Sequence, residues 1–212
     1  KKINFSKDSC LNVIEIKKRI ELKIKTLDRA KKKNLRLKKF LQKKFKPLLK
    51  KIFIYCRKKW EMKKGFFDNI ERKDQSLCPM DFGFHNCIKK ENKLIFFDFE
   101  YFGWDDPARL ISDFIYHPRM KLTNYQVKYW IDKTCHFYGH TTKKRFNLVR
   151  YLHGLFWCLI LLNDFVDKDW AKRVFANRNK KIFRNSVLHN QLEKAEKLFE
   201  KINFQFNEIK NG

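Results

Sequence analysis

Two stretches of this sequence bring together residue types that can do chemistry. One is Cys78-Pro79-Met80-Asp81-Phe82-Gly83-Phe84-His85-Asn86. The other is Ile95-Phe96-Phe97-Asp98-Phe99-Glu100-Tyr101-Phe102-Gly103-Trp104-Asp105-Asp106-Pro107. They supply Asp81, Asn86 five residues later, and Asp98 at the end of an apolar run. Over 94–118 five acids (Asp98, Glu100, Asp105, Asp106, Asp113) face one base, Arg109, a local net of −4 in a chain of +27. Carboxylates crowded beside an apolar strand repel one another, so they need hydrogen-bond donors, basic partners from elsewhere, or a cation. Hard oxygen donors with an asparagine alongside suit Mg²⁺, which takes carboxylates plus substrate phosphates and keeps some waters.

These residues must be positioned by short β elements. Cys87-Ile88-Lys89 and Leu94-Ile95-Phe96-Phe97 read as strands, with Lys90-Glu91-Asn92-Lys93 as the hairpin turn between them. Around this element the chain has helical period. Phe45, Leu48, Leu49, Ile52, Phe53 and Cys56 recur at three- and four-residue steps with lysines between. Pro47 starts that helix in its first turn or interrupts a longer one. A further helix is expected over 10–32. Leu110, Ile111, Phe114 and Ile115 form an apolar face that stops near His117-Pro118, and 123–138, 145–166, 169–184 and 187–208 read as four more helices. The expected fold class is mainly α with a small β-hairpin element, an α+β chain.

The spacing resembles the catalytic and metal loops of the aminoglycoside phosphotransferase/choline kinase family, relatives of the protein kinases. That family runs roughly HGDxxxxN, a hairpin, a hydrophobic strand ending in IDxE or IDFE, then GDP. Asp81 matches the loop aspartate, Asn86 the loop asparagine, Asp98 the metal aspartate, Glu100 the acid two positions later, and Asp106-Pro107 the Asp-Pro of GDP. The resemblance implies Mg-dependent transfer of the γ-phosphoryl of ATP or GTP to a hydroxyl of a small molecule. Asp81 would accept or orient the hydroxyl, and Asn86 and Asp98 would hold the metal. Glu100, His85 and Asp106 are supporting candidates; for His85 a loop or packing role competes.

The chain also departs from the family pattern. Pro79-Met80 stands where the family has His-Gly, and proline cannot give a histidine's side-chain hydrogen bond, so the loop must be braced otherwise. Leu110 stands where an aspartate often follows GDP; Asp113 is three residues further on. No glycine-containing phosphate loop or strand lysine of an N-terminal β lobe is visible, and Gly65 is the first glycine. The resemblance therefore covers a C-terminal lobe only and implies that the other lobe lies upstream. The isolated chain is then expected to be inactive. The expected layout is a basic helical segment 1–64, catalytic and metal loops 75–107, and a helical subdomain 108–212.

Composition limits the alternatives. At 43% hydrophobic and 16% aromatic, 212 residues can build a core. The longest apolar run, Leu155 to Leu162, is too short for a membrane span. Six scattered cysteines without a CxxC pair read as reduced, mostly buried thiols of a cytoplasmic protein. His136 and His140 lie four apart beside Cys135, but no second liganding pair accompanies them, so zinc is not expected. Tyr101, Phe102 and Trp104 can stack on a base or pack the loop. Residues 1–64 carry 25 basic and five acidic side chains. Because lysine, asparagine, isoleucine and phenylalanine are all abundant, that charge reads as a solvated surface, and no specific nucleic acid is expected. The rivals to a kinase lobe are a non-catalytic kinase-like remnant and a basic helical binder of RNA or membrane surfaces.

Overall fold

The computed structural model describes residues 3–178 and 181–211. The chain is mainly helical. In order, the helices are α1 (Val13–Thr26), α2 (Asp28–Lys33), α3 (Leu35–Lys39), α4 (Lys46–Lys59), α5 (Pro107–Tyr116), α6 (Asn124–Tyr138), α7 (His140–Leu161), α8 (Asp167–Ala176) and α9 (Arg184–Asn211). Four short strands form two antiparallel pairs. β1 (Ser76–Cys78) lies against β4 (Gly103–Asp105), and β2 (Cys87–Lys90) against β3 (Lys93–Phe96). Among the described residues no helix is long and apolar enough to cross a membrane.

Local chemistry explains most of these boundaries. Asn12 accepts from the Glu15 N–H at 2.8 Å while Glu15 accepts from the Leu11 N–H at 2.9 Å, a reciprocal cap that starts α1. The expected helix over 10–32 divides at Leu27, whose N–H tightens onto the Ile24 carbonyl at 3.1 Å. A π-helical stretch, Phe40–Phe45, precedes α4, and the Lys46 N–H reaches back to the Leu41 carbonyl. Pro47 follows at once in the first turn of α4, where its missing N–H costs least. Asp106 and Pro107 occupy the N-cap and first position of α5. Thr123 and Gln126 form a capping box on α6, which ends at Gly139 with φ 87°. The helix expected over 169–184 ends at Ala176; residues 179 and 180 of that range lie outside the described residues.

Compactness groups the chain into two units that interleave along the sequence. One is Lys1–Ile16 with Cys56–His153, and the other is Lys17–Tyr55 with Gly154–Gly212. Most of the basic segment thus groups with the C-terminal helices rather than standing apart. In that second unit Phe40 and Phe45 pack against Phe199 of α9 with ring centroids 5.4 and 6.2 Å away. Arg36 pairs with Glu196 at 2.5 Å, and Lys44 with Glu200 at 3.0 Å.

The first unit carries both strand pairs. Cys78, Met80 and Leu110 form a buried cluster with Phe82, Tyr101 and Tyr138 packed against it. The chain near its start adds a parallel bridge between Phe5 and Trp104. A Cβ on Gly103 would lie 2.4 Å from the Ser6 nitrogen, so only glycine admits that backbone crossing. All six cysteines are free, and five of them are buried.

Candidate functional site

The loop from Asp81 to Asn86 folds back on itself. The Asn86 N–H donates to the Gly83 carbonyl at 3.0 Å, and Asn86 Nδ2 donates to the Asp81 carbonyl at 3.0 Å and lies 3.5 Å from its Oδ2. Asp81 and Asn86 are therefore in direct contact. The hairpin then returns the chain to the loop: the Phe97 N–H donates to the Asn86 carbonyl at 3.1 Å. Asp98 follows, two residues beyond the end of β3, with an exposed side chain. Among the described residues no hydrogen bond joins its carboxylate to Asp81.

Asp81 and Asp98 both take left-handed backbone, with φ of 58° and 66°. Aspartate tolerates this region better than most residues, yet it costs on the order of 1 kcal/mol and persists only where the surroundings enforce it. For Asp81 the enforcing groups are visible. His85 Nε2 lies 3.2 Å from its Oδ1, and His117 Nε2, just past the end of α5, lies 3.5 Å from the same atom. The two imidazoles are stacked, 4.1 Å between centroids and 2° from parallel. This pair is the brace that Pro79 does not provide. Gly83 makes room for it, since a Cβ there would come within 2.8 Å of the His85 ring.

Burial pushes the Asp81 carboxyl up, but the hydrogen bonds from His117 and His85 outweigh it and hold the group below its ordinary range. Among the described residues Asp81, His85 and His117 are the one group of three with the ligand atoms of a metal centre, all within 4.8 Å. The tautomer argues for a clamp instead. His117 Nδ1 accepts from the Arg119 N–H at 3.2 Å, so its proton sits on Nε2, which donates to Asp81 and has no lone pair left for a metal.

The remaining candidates separate from this loop. Asp106 accepts from the Ala108 N–H at 2.9 Å and from Arg145 at 3.0 and 3.1 Å. It is a helix cap and half of a buried ion pair, so its place is structural. Burial raises its pKa, and the Arg145 charge only partly offsets this. Asp105, fully buried, accepts from Ser6 Oγ at 2.6 Å and from Arg109 at 2.8 Å. Asp113 pairs with Arg109 at 3.3 Å. Glu100 is exposed, and its hydrogen bond pushes the Tyr101 hydroxyl up. Lys7 lies over the Tyr101 ring at 4.3 Å, and Arg72 over Trp104 at 3.3 Å. Those two aromatics pack the loop.

His117 was not among the candidate site residues read from sequence, where it only marks the end of a helix face. It stands 36 positions from Asp81, and only the path of α5 brings the two together. No family model matches this chain, and neither does any curated protein or solved structure.

Proposed function

We propose that the chain is the acceptor-positioning and metal-binding lobe of a phosphotransferase that moves the γ-phosphoryl of ATP or GTP to a small-molecule hydroxyl. The observation that carries the proposal is the closed loop in which Asn86 holds Asp81 and the main chain of Phe97 holds Asn86. That loop brings Asp81 and Asn86 into contact and ends at Phe97, one residue before Asp98. Asp81, kept ionised by His85 and His117, presents Oδ2 to an incoming hydroxyl, orients it and takes its proton. Asn86 turns its amide nitrogen to Asp81, which leaves the amide oxygen as a ligand atom. With the exposed Asp98 carboxylate it forms the hard oxygen set that magnesium prefers. When bound, the metal neutralises charge on the nucleotide phosphates. A second lobe covering the nucleotide belongs to the same proposal and would lie in sequence preceding residue 1.

The test uses the product of the whole reading frame. Asp81→Asn should lower ADP release across a panel of sugars, amino alcohols and simple alcohols by about 10²–10⁴-fold while Mg-ATP affinity changes little. Asp98→Ala should abolish magnesium-dependent nucleotide binding in calorimetry. Near-normal turnover in the first variant, or normal Mg-ATP binding in the second, would refute the assignment. Intact binding with no turnover in the unmodified protein would favour a non-catalytic kinase-like module.

A further inference from the structure

Behind the Asp81 loop lies an apolar slot of about 270 Å³. Its walls include Phe82, Phe96, Phe114 and Trp130, with Phe84, Tyr125 and Tyr129 at the exposed side. The wall rings are close to parallel. Phe82 lies 29° from Phe96, 30° from Phe114 and 27° from Trp130, and Phe114 lies 21° from Trp130 at 3.9 Å. Tyr125 and Tyr129 are also near-parallel, 27° apart, and stay 76% and 54% exposed. The lining is thus almost wholly aromatic, with the wall rings stacked on one another and Lys133 Nζ 5.6 Å from the Tyr129 ring centre, and such a surface favours another flat ring.

The electrostatics narrow the ligand further. A third of this chain is charged, yet no charged side chain lines the slot. Its amide residue, Gln126, has its carbonyl engaged by the Thr123 N–H at 2.9 Å, and the Trp130 indole N–H is given to the Ile111 carbonyl at 3.3 Å. Aromatic faces attract cations, but the lining has no carboxylate and the chain's field is strongly positive, so a cation is disfavoured. Polar polyols would find few partners. The volume suits one or two rings rather than a peptide helix.

We propose that this slot is a binding site for a neutral, planar, apolar ring compound. The site does not depend on phosphoryl transfer. It does touch the same loop, because Phe82 and Phe84 flank Gly83 between Asp81 and Asn86, and Phe114 precedes His117 by one turn of α5.

The experiment titrates 2-naphthalenemethanol into the chain and follows the indole N–H signals of its five tryptophans by NMR, with Trp130 identified through Trp130→Phe. No nucleotide or magnesium is needed, so its result is separable from that of the kinase test. The expected result is a saturable shift of the Trp130 signal. Phe84→Ala and Tyr129→Ala, both at exposed positions, should each weaken binding by about twofold to tenfold with the thermal midpoint nearly unchanged. A naphthyl trimethylammonium salt and inositol should bind more weakly than the neutral arene. Absence of a saturable Trp130 shift would overturn the proposal, as would equal binding by both variants or tighter binding of the cation or the polyol.

Discussion

Replacing Asp106 by alanine removes one end of a buried ion pair and leaves the other end in place. Arg145 is 2% exposed and Asp106 7%. Arg145 Nε and Nη2 reach the two carboxylate oxygens at 3.0 and 3.1 Å, and one of those oxygens also caps α5. A guanidinium cannot shed its charge. In Asp106→Ala it would keep only the Asp74 carbonyl at 3.1 Å, the Asp74 carboxylate at 3.5 Å and the Thr142 hydroxyl at 3.3 Å. Orphaning a buried charge costs about 3–5 kcal/mol and losing the cap about 1 kcal/mol, with part returned by Asp74. The net expectation is a loss of about 4 kcal/mol, or ~8–16 °C in Tm for a chain of this size. Arg145→Met should cost less at acid pH. Burial already raises the Asp106 carboxyl, and without Arg145 its folded pKa rises further above the unfolded value. The deficit is then smallest while the group is protonated and grows as pH rises through the folded pKa. The double variant Asp106→Ala/Arg145→Met should fall short of the summed single losses by about 2 kcal/mol. Urea unfolding followed by circular dichroism at about pH 5 and pH 7.5 measures all three. A loss below ~1 kcal/mol for Asp106→Ala, or simple additivity in the double variant, would refute the reasoning.

Gly103→Ala should destabilise by about 2 kcal/mol or more, because the new methyl meets backbone atoms of residues 4–6 that cannot give way; thermal unfolding reads the loss. Gly83→Ala should cost only about 1 kcal/mol, yet shift the His85 imidazole NMR signals as the ring is pushed off Asp81. A thiol reagent should modify Cys87 first in the native protein, since Cys10, Cys56, Cys78, Cys135 and Cys158 are buried and burial raises the Cys56 thiol to about 12. If the lysines of residues 1–64 are a solvated surface, anisotropy with mixed-sequence RNA should show weak binding that disappears between about 50 and 200 mM salt.

Local signals in the sequence were strong enough to read the hairpin and several helix starts. β2 and β3 are joined by Glu91-Asn92, with Glu91 at φ 54°, as a β-type run broken by four polar residues implies. Asp106-Pro107 also marks a helix start on its own chemistry. The β1–β4 pair was not readable. Three residues each are too few to show alternation, and the pairing joins Ser76 to Asp105 across 29 positions. The two-unit grouping was equally hidden, because helices 150 residues apart in sequence carry no mutual signature. His117 was passed over for a related reason: it reads as the end of an apolar helix face, and nothing near it in sequence points to Asp81.

The acids of 94–118 show how a charge count leaves its answer open. Their net of −4 called for hydrogen-bond donors, basic partners from elsewhere or a cation, and the structure meets most of that need with arginine. Asp105 and Asp113 share Arg109, and Asp106 takes Arg145, which lies outside the counted window. Glu100 is turned to the Tyr101 hydroxyl. Of these acids only Asp98 combines an exposed carboxylate with a left-handed backbone, and it follows Phe97, whose N–H donates to the Asn86 carbonyl. The case for magnesium therefore narrows from a cluster to one carboxylate and one amide. The two groups of acids should respond differently to substitution. Asp105→Asn should lower stability, because it weakens the tie to the buried Arg109. Asp98→Ala should cost only about 1 kcal/mol, because alanine tolerates the left-handed backbone less well than aspartate, and act chiefly on metal-dependent binding.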